Sequence, residues 1–176
     1  MTVETITLAG GCFWCLEAVY RLVDGVTHVE SGYANGHVDD PCYEDVCSGT
    51  TGHAEVVRVE FDADRLSLRD VLEIFFSIHD PTTLNRQGND IGTQYRSGIY
   101  WHDERQLPVI EAVRGEVDRA SGGRVVTEVQ PLSRYGRAED EHQVYFERHP
   151  HQGYCAFVVA PKVEHFRRHF AGRLRR

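Results

Sequence analysis

Cys12 and Cys15 stand three residues apart in the run Gly10-Gly11-Cys12-Phe13-Trp14-Cys15. A thiol placed just after a glycine turn, at the start of a helix, meets unpaired backbone N–H groups and the positive end of the helix dipole. Both favour the thiolate, so Cys12 reads as a nucleophile. Cys15 lies one helical turn further on, and a C-x-x-C pair can close a short-loop disulfide or offer two metal ligands. Two small buried helix residues are the plainer alternative. On such a helix Phe13 and Trp14 point about 100° apart, so at least one ring faces the site entrance, where it can hold an apolar substrate group such as a methyl. Glu55 falls on the apolar face of a strand, alternating with Val57, Val59 and Phe61. A carboxyl buried there has a raised pKa and can serve as a general acid, unless the strand end lets it reach solvent. His53 nearby reads as an ordinary hydrogen-bonding residue.

The elements that must position these groups follow from periodicity. Thr5 to Ala9 alternates as a strand, and Gly10-Gly11 breaks it. Cys12, Leu16, Val19 and Val23 recur at helical spacing until Asp24-Gly25. Val26 to Tyr33 is the next strand, followed by a polar loop over 34–52. His53 to Phe61 is the clearest strand of the chain. Ser67 caps a helix with the stripe Leu68, Val71, Leu72, Phe75 and Ile78, ended by Asp80-Pro81. After a second long loop over 82–96, Ser97 to Trp101 reads as a strand. Glu104 to Ala120 then forms a helix with Pro108 in its first turn and Gly122-Gly123 beyond its end. Arg124 to Val129 is a further strand candidate, Glu139 to Arg148 a short helix, and Ala156 to Val159 a short strand or extended segment. This order predicts an α+β two-layer sandwich with a ferredoxin-like, split βαβ mixed-sheet core and a C-terminal extension.

The 176 residues suit one domain, spanning 1–176, with 41% hydrophobic and 10% aromatic residues that argue against disorder. The net charge of −8 disfavours a nucleic-acid face, which needs clustered basic residues. No apolar run approaches a membrane span, and Glu4 stands where a signal peptide has a basic flank, so a cytoplasmic protein is expected, by default a monomer. Five cysteines are few and odd for a disulfide scaffold. Residues 161–176 are basic, a helix or tail expected to dock on the acidic body, with a partner-binding arm as the alternative. His149 and His151 are expected at the surface. Arginine outnumbers lysine 18 to 1, a bias from which no function is drawn. The only methionine is Met1.

Gly10-Gly11-Cys12-Phe13-Trp14 followed by Glu17 resembles the signature of the peptide methionine sulfoxide reductases of the A type. The resemblance continues through Pro41 to Tyr43, Val46 to Glu55, His79 to Thr83 and Arg86 to Ser97, then Ala138 to Gln143 with Tyr145, spanning roughly residues 4–170. It implies Cys12 as nucleophile, Glu55 as acid, and Tyr43 and Tyr95 as hydrogen-bonders of the sulfoxide oxygen. It also implies Asp90 as the remaining site acid and Phe13 with Trp14 as the methyl pocket. Methionine would leave, Cys12 would become a sulfenic acid, and a second thiol would condense with it to a disulfide that thioredoxin reopens. The implied substrate is the S epimer, in oxidised proteins or as the free amino acid, with no bound cofactor or metal. Many family members have Gly where this chain has Cys15, and others use a cysteine corresponding to Cys155. Both are therefore candidate resolving thiols, with Cys15 slightly favoured by proximity. Cys42 and Cys47 are expected to be structural, and Asn35, where glycine is common, should tolerate the positive φ of its turn.

Two readings compete. One is a zinc-binding interaction module using Cys12, Cys15, Cys42 and Cys47, which leaves Glu55, Phe13 and Trp14 without a role. The other is a general thiol–disulfide oxidoreductase, which needs neither Glu55 nor Tyr95.

Overall fold

The computed structural model describes residues 1–175. Strand β1 (Val3–Ala9) leads through Gly10-Gly11 to helix α1 (Phe13–Tyr20), then β2 (Val26–Ala34), the short α2 (Tyr43–Cys47), β3 (Ala54–Asp62) and α3 (Leu68–Ser77). A small hairpin, β4 (Arg86–Gln87) with β5 (Asp90–Ile91), precedes β6 (Gly98–Trp101), α4 (Leu107–Ala120), β7 (Glu128–Pro131), β8 (Gly136–Arg137), α5 (Tyr145–Arg148) and α6 (Ala160–His169). No helix among the described residues is long and apolar enough to cross a membrane.

The sheet order is β7-β6-β1-β3-β2-β8, antiparallel except for the parallel pair β6 and β7. β3 separates β1 from β2, and β1 separates β3 from β6, so both βαβ units are split, as the order of elements predicts. The period-two alternation of β3 sets the layers. Val57, Val59 and Phe61 join Ile6, Leu8 and the inward residues of α1, α3 and α6 in the main core, whereas Ala54 and Val56 face a smaller cluster covered by Leu132 and Tyr135.

Register brings the functional groups to one end of the sheet. Leu8 pairs with Val57 across the antiparallel β1–β3 ladder, so Glu55, two residues earlier, lies beside the chain as it leaves β1 for α1. Tyr33 pairs with Glu55, and Gly98 with Ala9. The loop after β2 and the segment before β6 therefore arrive at the same end.

Several local expectations are corrected. The helix that Cys12 was expected to open starts at Phe13, with Cys12 as its N-cap, and ends at Tyr20. The polar loops contain α2 and the β4–β5 hairpin. The ladder at 124–129 forms only from Glu128, because Val125 and Val126 donate instead to Asp118 Oδ1 and the Pro81 carbonyl. The expected helix over 139–148 is interrupted, with Val144 at φ 57°, because the Gln143 side chain is drawn onto the backbone of Ser31. The segment expected to be extended, Ala156–Val159, is a π-helical turn, Cys155–Val159, running into α6. Pro161 has no N–H and its ring crowds the carbonyl four residues back, which favours the wider turn. The basic segment expected over 161–176 is helical as far as His169 in α6, and further on Arg173 pairs with Asp70 at 2.8 Å, a docked arrangement.

Candidate active site

Gly11 takes φ +89°, a conformation that favours glycine, and the chain then turns into α1. Cys12 is buried at the N-cap, and the amide of Phe13 donates to Glu55 Oε1 at 3.2 Å. Glu55 is 1% exposed, so it does not reach solvent from the strand end. Burial, reinforced by the charge of Asp90, pushes its pKa up to about 8, against the Phe13 hydrogen bond that lowers it. At neutral pH the carboxyl is protonated, as a general acid must be.

The cysteines correct a simpler expectation. Burial pushes the Cys12 thiol well up, and its hydrogen bond to Cys15 and the nearby Glu55 act in the same sense. The helix N-terminus does not outweigh these in the resting protein, so Cys12 is held as the thiol. Cys15, also buried, is lowered by the hydrogen bond from Cys12, which outweighs its own burial. The pair thus loses its first proton from Cys15. Cys155, fully buried in the π-turn against α1, is raised by burial. Both candidate resolving thiols therefore sit on or against the helix that Cys12 caps.

Phenols surround this centre. Tyr43, from α2, hydrogen-bonds Cys47 through its side chain, and its amide donates to Glu139 Oε2 at 3.1 Å. Burial raises the Tyr43 and Tyr95 hydroxyls, with further upward pushes from Glu55 and Cys12. Both are donors throughout the neutral range. Asp90 accepts a hydrogen bond from the Tyr154 hydroxyl, which stands beside Cys15 and lowers its pKa. Of the two rings beside Cys12, Phe13 is core, fully buried under Tyr33, Tyr43 and His142. Trp14 is half-buried and stacks on Tyr145 at 3.7 Å. Of the two rings only Trp14 keeps partial exposure.

Sequence reasoning assigned no role to Tyr33, Glu139, His142, Tyr145 or Tyr154. Tyr33 donates to Glu139 Oε1 at 2.9 Å, which locks the Tyr43 support from the far side. Glu139, His142 and Tyr145 stand in a motif-like run, the only available signal, because no spacing rule links them to Cys12. His53 holds the loop: its Nδ1 accepts from Gly36 N–H and its Nε2–H donates to the Val38 carbonyl. Asn35 does adopt φ 59°. His149 and His151 are exposed. A four-thiolate zinc site is not assembled: Cys42 and Cys47 are exposed while Cys12 and Cys15 are buried. Among the described residues the one cluster with metal-ligand spacing is Glu139, Glu141 and His142.

A buried thiol at a helix N-cap with a second in that helix's first turn, a neutral carboxyl bonded to the same turn and two neighbouring phenols define an oxidoreductase that works through cysteine sulfur. The family model described as peptide methionine sulfoxide reductase matches residues 4–174. The chain is 52% identical over 172 residues to the peptide methionine sulfoxide reductase MsrA of Saccharolobus solfataricus, covering 98% of this chain and 97% of that protein. It resembles the crystal structure of reduced Mxr1 from Saccharomyces cerevisiae, with TM-score 0.83, 38% identity and coverage of 87% and 89% of the two chains. A second Mxr1 structure, in complex with Trx2, gives TM-score 0.59 and 30% identity over 81% of this chain and 84% of that one. The chain belongs to the peptide methionine sulfoxide reductase family, and its reaction is the thiol-dependent reduction of methionine sulfoxide.

Proposed function

We propose that the chain reduces the S epimer of methionine sulfoxide, free or protein-bound, with Cys12 as nucleophile and Glu55 as acid. The observation that carries the assignment is the meeting of these two at the start of α1, where Glu55 accepts the Phe13 amide and keeps its own proton. Tyr43 and Tyr95 donate to the sulfoxide oxygen, Asp90 holds Tyr154 beside Cys15, and Phe13 with Trp14 borders the methyl.

Glu55 protonates the oxygen as the Cys12 sulfur attacks the substrate sulfur. An S–S bond forms between Cys12 and the substrate sulfur, the oxygen takes up the thiol proton as well, and the sulfur–oxygen bond breaks to release water. That water adds to the Cys12 sulfur as the S–S bond breaks, so methionine leaves, Cys12 becomes a sulfenic acid and the proton the water gives up restores Glu55. Cys15 then condenses with the sulfenic acid and releases water. Its hydrogen bond to Cys12 supports Cys15 over Cys155 for this step. Thioredoxin reopens the disulfide, a reading supported by the Mxr1 complex with Trx2. The scheme uses no bound cofactor, and we place it in the cytoplasm, in a monomer of one domain.

The test is product formation from separated R and S epimers of a methionine sulfoxide peptide with dithiothreitol, comparing the native chain with Cys12→Ser. Methionine from the S epimer alone, lost in the variant, is the expected result. Reduction of the R epimer overturns the stereochemical assignment, and turnover by Cys12→Ser removes Cys12 from the reaction.

A further inference from the structure

We propose that Lys162 is a positioning residue for the resolving step, its ammonium serving as counter-charge to the Cys15 thiolate as that sulfur attacks the Cys12 sulfenic acid. The proposal deepens the reading of Cys15 as resolving thiol and rests on it.

Lys162 is the only lysine among the chain's 19 Lys and Arg residues, and it is half-buried. Tyr154, Val158 and Lys162 recur every four residues along the π-turn and α6, so they form one stripe. That stripe lines a cavity of about 790 Å³, which it shares with His79, Asp80 and Asp90. The π-turn and α6 both pack against α1, the helix that carries Cys15. At the near end of the stripe the Tyr154 hydroxyl donates to Asp90 and stands beside Cys15. The cavity that Lys162 lines therefore reaches Cys15 through Tyr154 and Asp90, which line it as well.

The titratable groups that act on Cys15 come from several elements. Cys12 shares α1 with it, Glu55 stands on β3, Asp90 on β5, Tyr154 and Cys155 on the π-turn, and Lys162 on α6. Asp90 opposes a Cys15 thiolate, and Lys162 favours it. His79 adds no charge, because burial holds its imidazole neutral, down to about 4. A lysine is a compact charge on a flexible stem, able to follow a sulfur that moves as it bonds.

In the step itself the Cys15 thiolate forms the S–S bond, the Cys12 S–O bond breaks, and the oxygen leaves with a proton as water. Cys15 is oxidised and the Cys12 sulfur reduced.

The test uses Lys162→Met, which keeps the stem, and Lys162→Arg, which keeps the charge. After one equivalent of substrate, disulfide closure is followed as thiol loss against pH. A rise of about one unit in the Cys15 pKa cuts its thiolate roughly tenfold below that pKa but makes the thiolate about threefold more nucleophilic. Lys162→Met should then close about threefold more slowly near neutral pH and overtake the native chain at alkaline pH, with Lys162→Arg close to native. Superimposed profiles, or slowing by one factor at every pH, overturn the proposal. Cys15→Ser, run in parallel, separates the two ideas: rapid closure through Cys155 refutes the resolving role of Cys15 and takes the Lys162 proposal with it.

Discussion

The Phe13 amide donates to Glu55 Oε1 at 3.2 Å, so a carboxyl carried by β3 caps the first turn of the helix whose N-cap is Cys12. Cys12 and Glu55 are thereby brought together by one hydrogen bond from the residue that follows Cys12. Neither the thiol nor the carboxyl can shift without disturbing that turn.

The pH dependence of the reaction follows from this acid. Glu55 gives its proton away as pH rises through about 8, so the rate of methionine release in a single turnover should fall above that pH. Glu55→Gln keeps the shape and loses the proton; it should be slower by about 10²–10⁴-fold. Its profile should also lack that alkaline limb. A variant as fast as the native chain removes Glu55 from proton transfer.

Stability should carry the same signature. The folded pKa lies above the unfolded value near 4.5, so the native state binds a proton that the unfolded chain has released. The stabilisation is complete below about pH 4.5 and is lost as pH rises through about 8. Glu55→Gln cannot ionise, and urea unfolding at pH 5 and pH 9 should show it losing less stability between the two, by on the order of a few kcal/mol. Equal losses in both proteins would place Glu55 in solvent.

The thiols separate release from recycling. Cys15→Ser should still release about one methionine per molecule yet stall with thioredoxin, whereas Cys155→Ser should continue to turn over. Quenched-flow product counts decide between them. Sustained turnover by Cys15→Ser would transfer the role to Cys155.

Gly11→Ala should destabilise the fold and misplace Cys12. A Cβ there would meet Gln87 Cγ and Cβ at 2.8 and 2.9 Å, and the residue stands at φ +89°. Gln87 in turn accepts from the Asp80 amide, so it cannot yield freely. The expected loss is about 1–3 kcal/mol by denaturant unfolding.

Gln143→Ala should cost about 1–3 kcal/mol by leaving a buried backbone group unpaired. Gln143 is the acceptor for the Ser31 amide at 3.0 Å, the group left unpaired by its loss, and it donates at 2.8 Å to the Ser31 carbonyl, which also accepts from the Ala138 amide. Faster hydrogen exchange at the Ser31 amide is the direct readout.

The sequence by itself determined the cysteine after the Gly-Gly break, the inward-facing Glu55 and the split sheet. A Gly-Gly break before a helical repeat is a local signal, and so is the period of two that turns Glu55 toward the core with Val57 and Val59. The motifs around Tyr43, Asp90 and Tyr95 added the other site groups, since similarity reads position in the chain and needs no geometry. Only the tertiary structure decided which thiol keeps its proton. Periodicity encodes the face a residue presents; how deeply Cys12 is buried depends on the β1–β3 register and on a π-turn more than 140 residues away. The extended reading of Ala156–Val159 failed for the same reason. An apolar run four residues long fits a strand or a buried turn equally, and Pro161 with the packing surface of α1 selected the turn. Glu139, Tyr154 and Lys162 became legible only there, because long-range packing alone carries them to Tyr43 and Cys15.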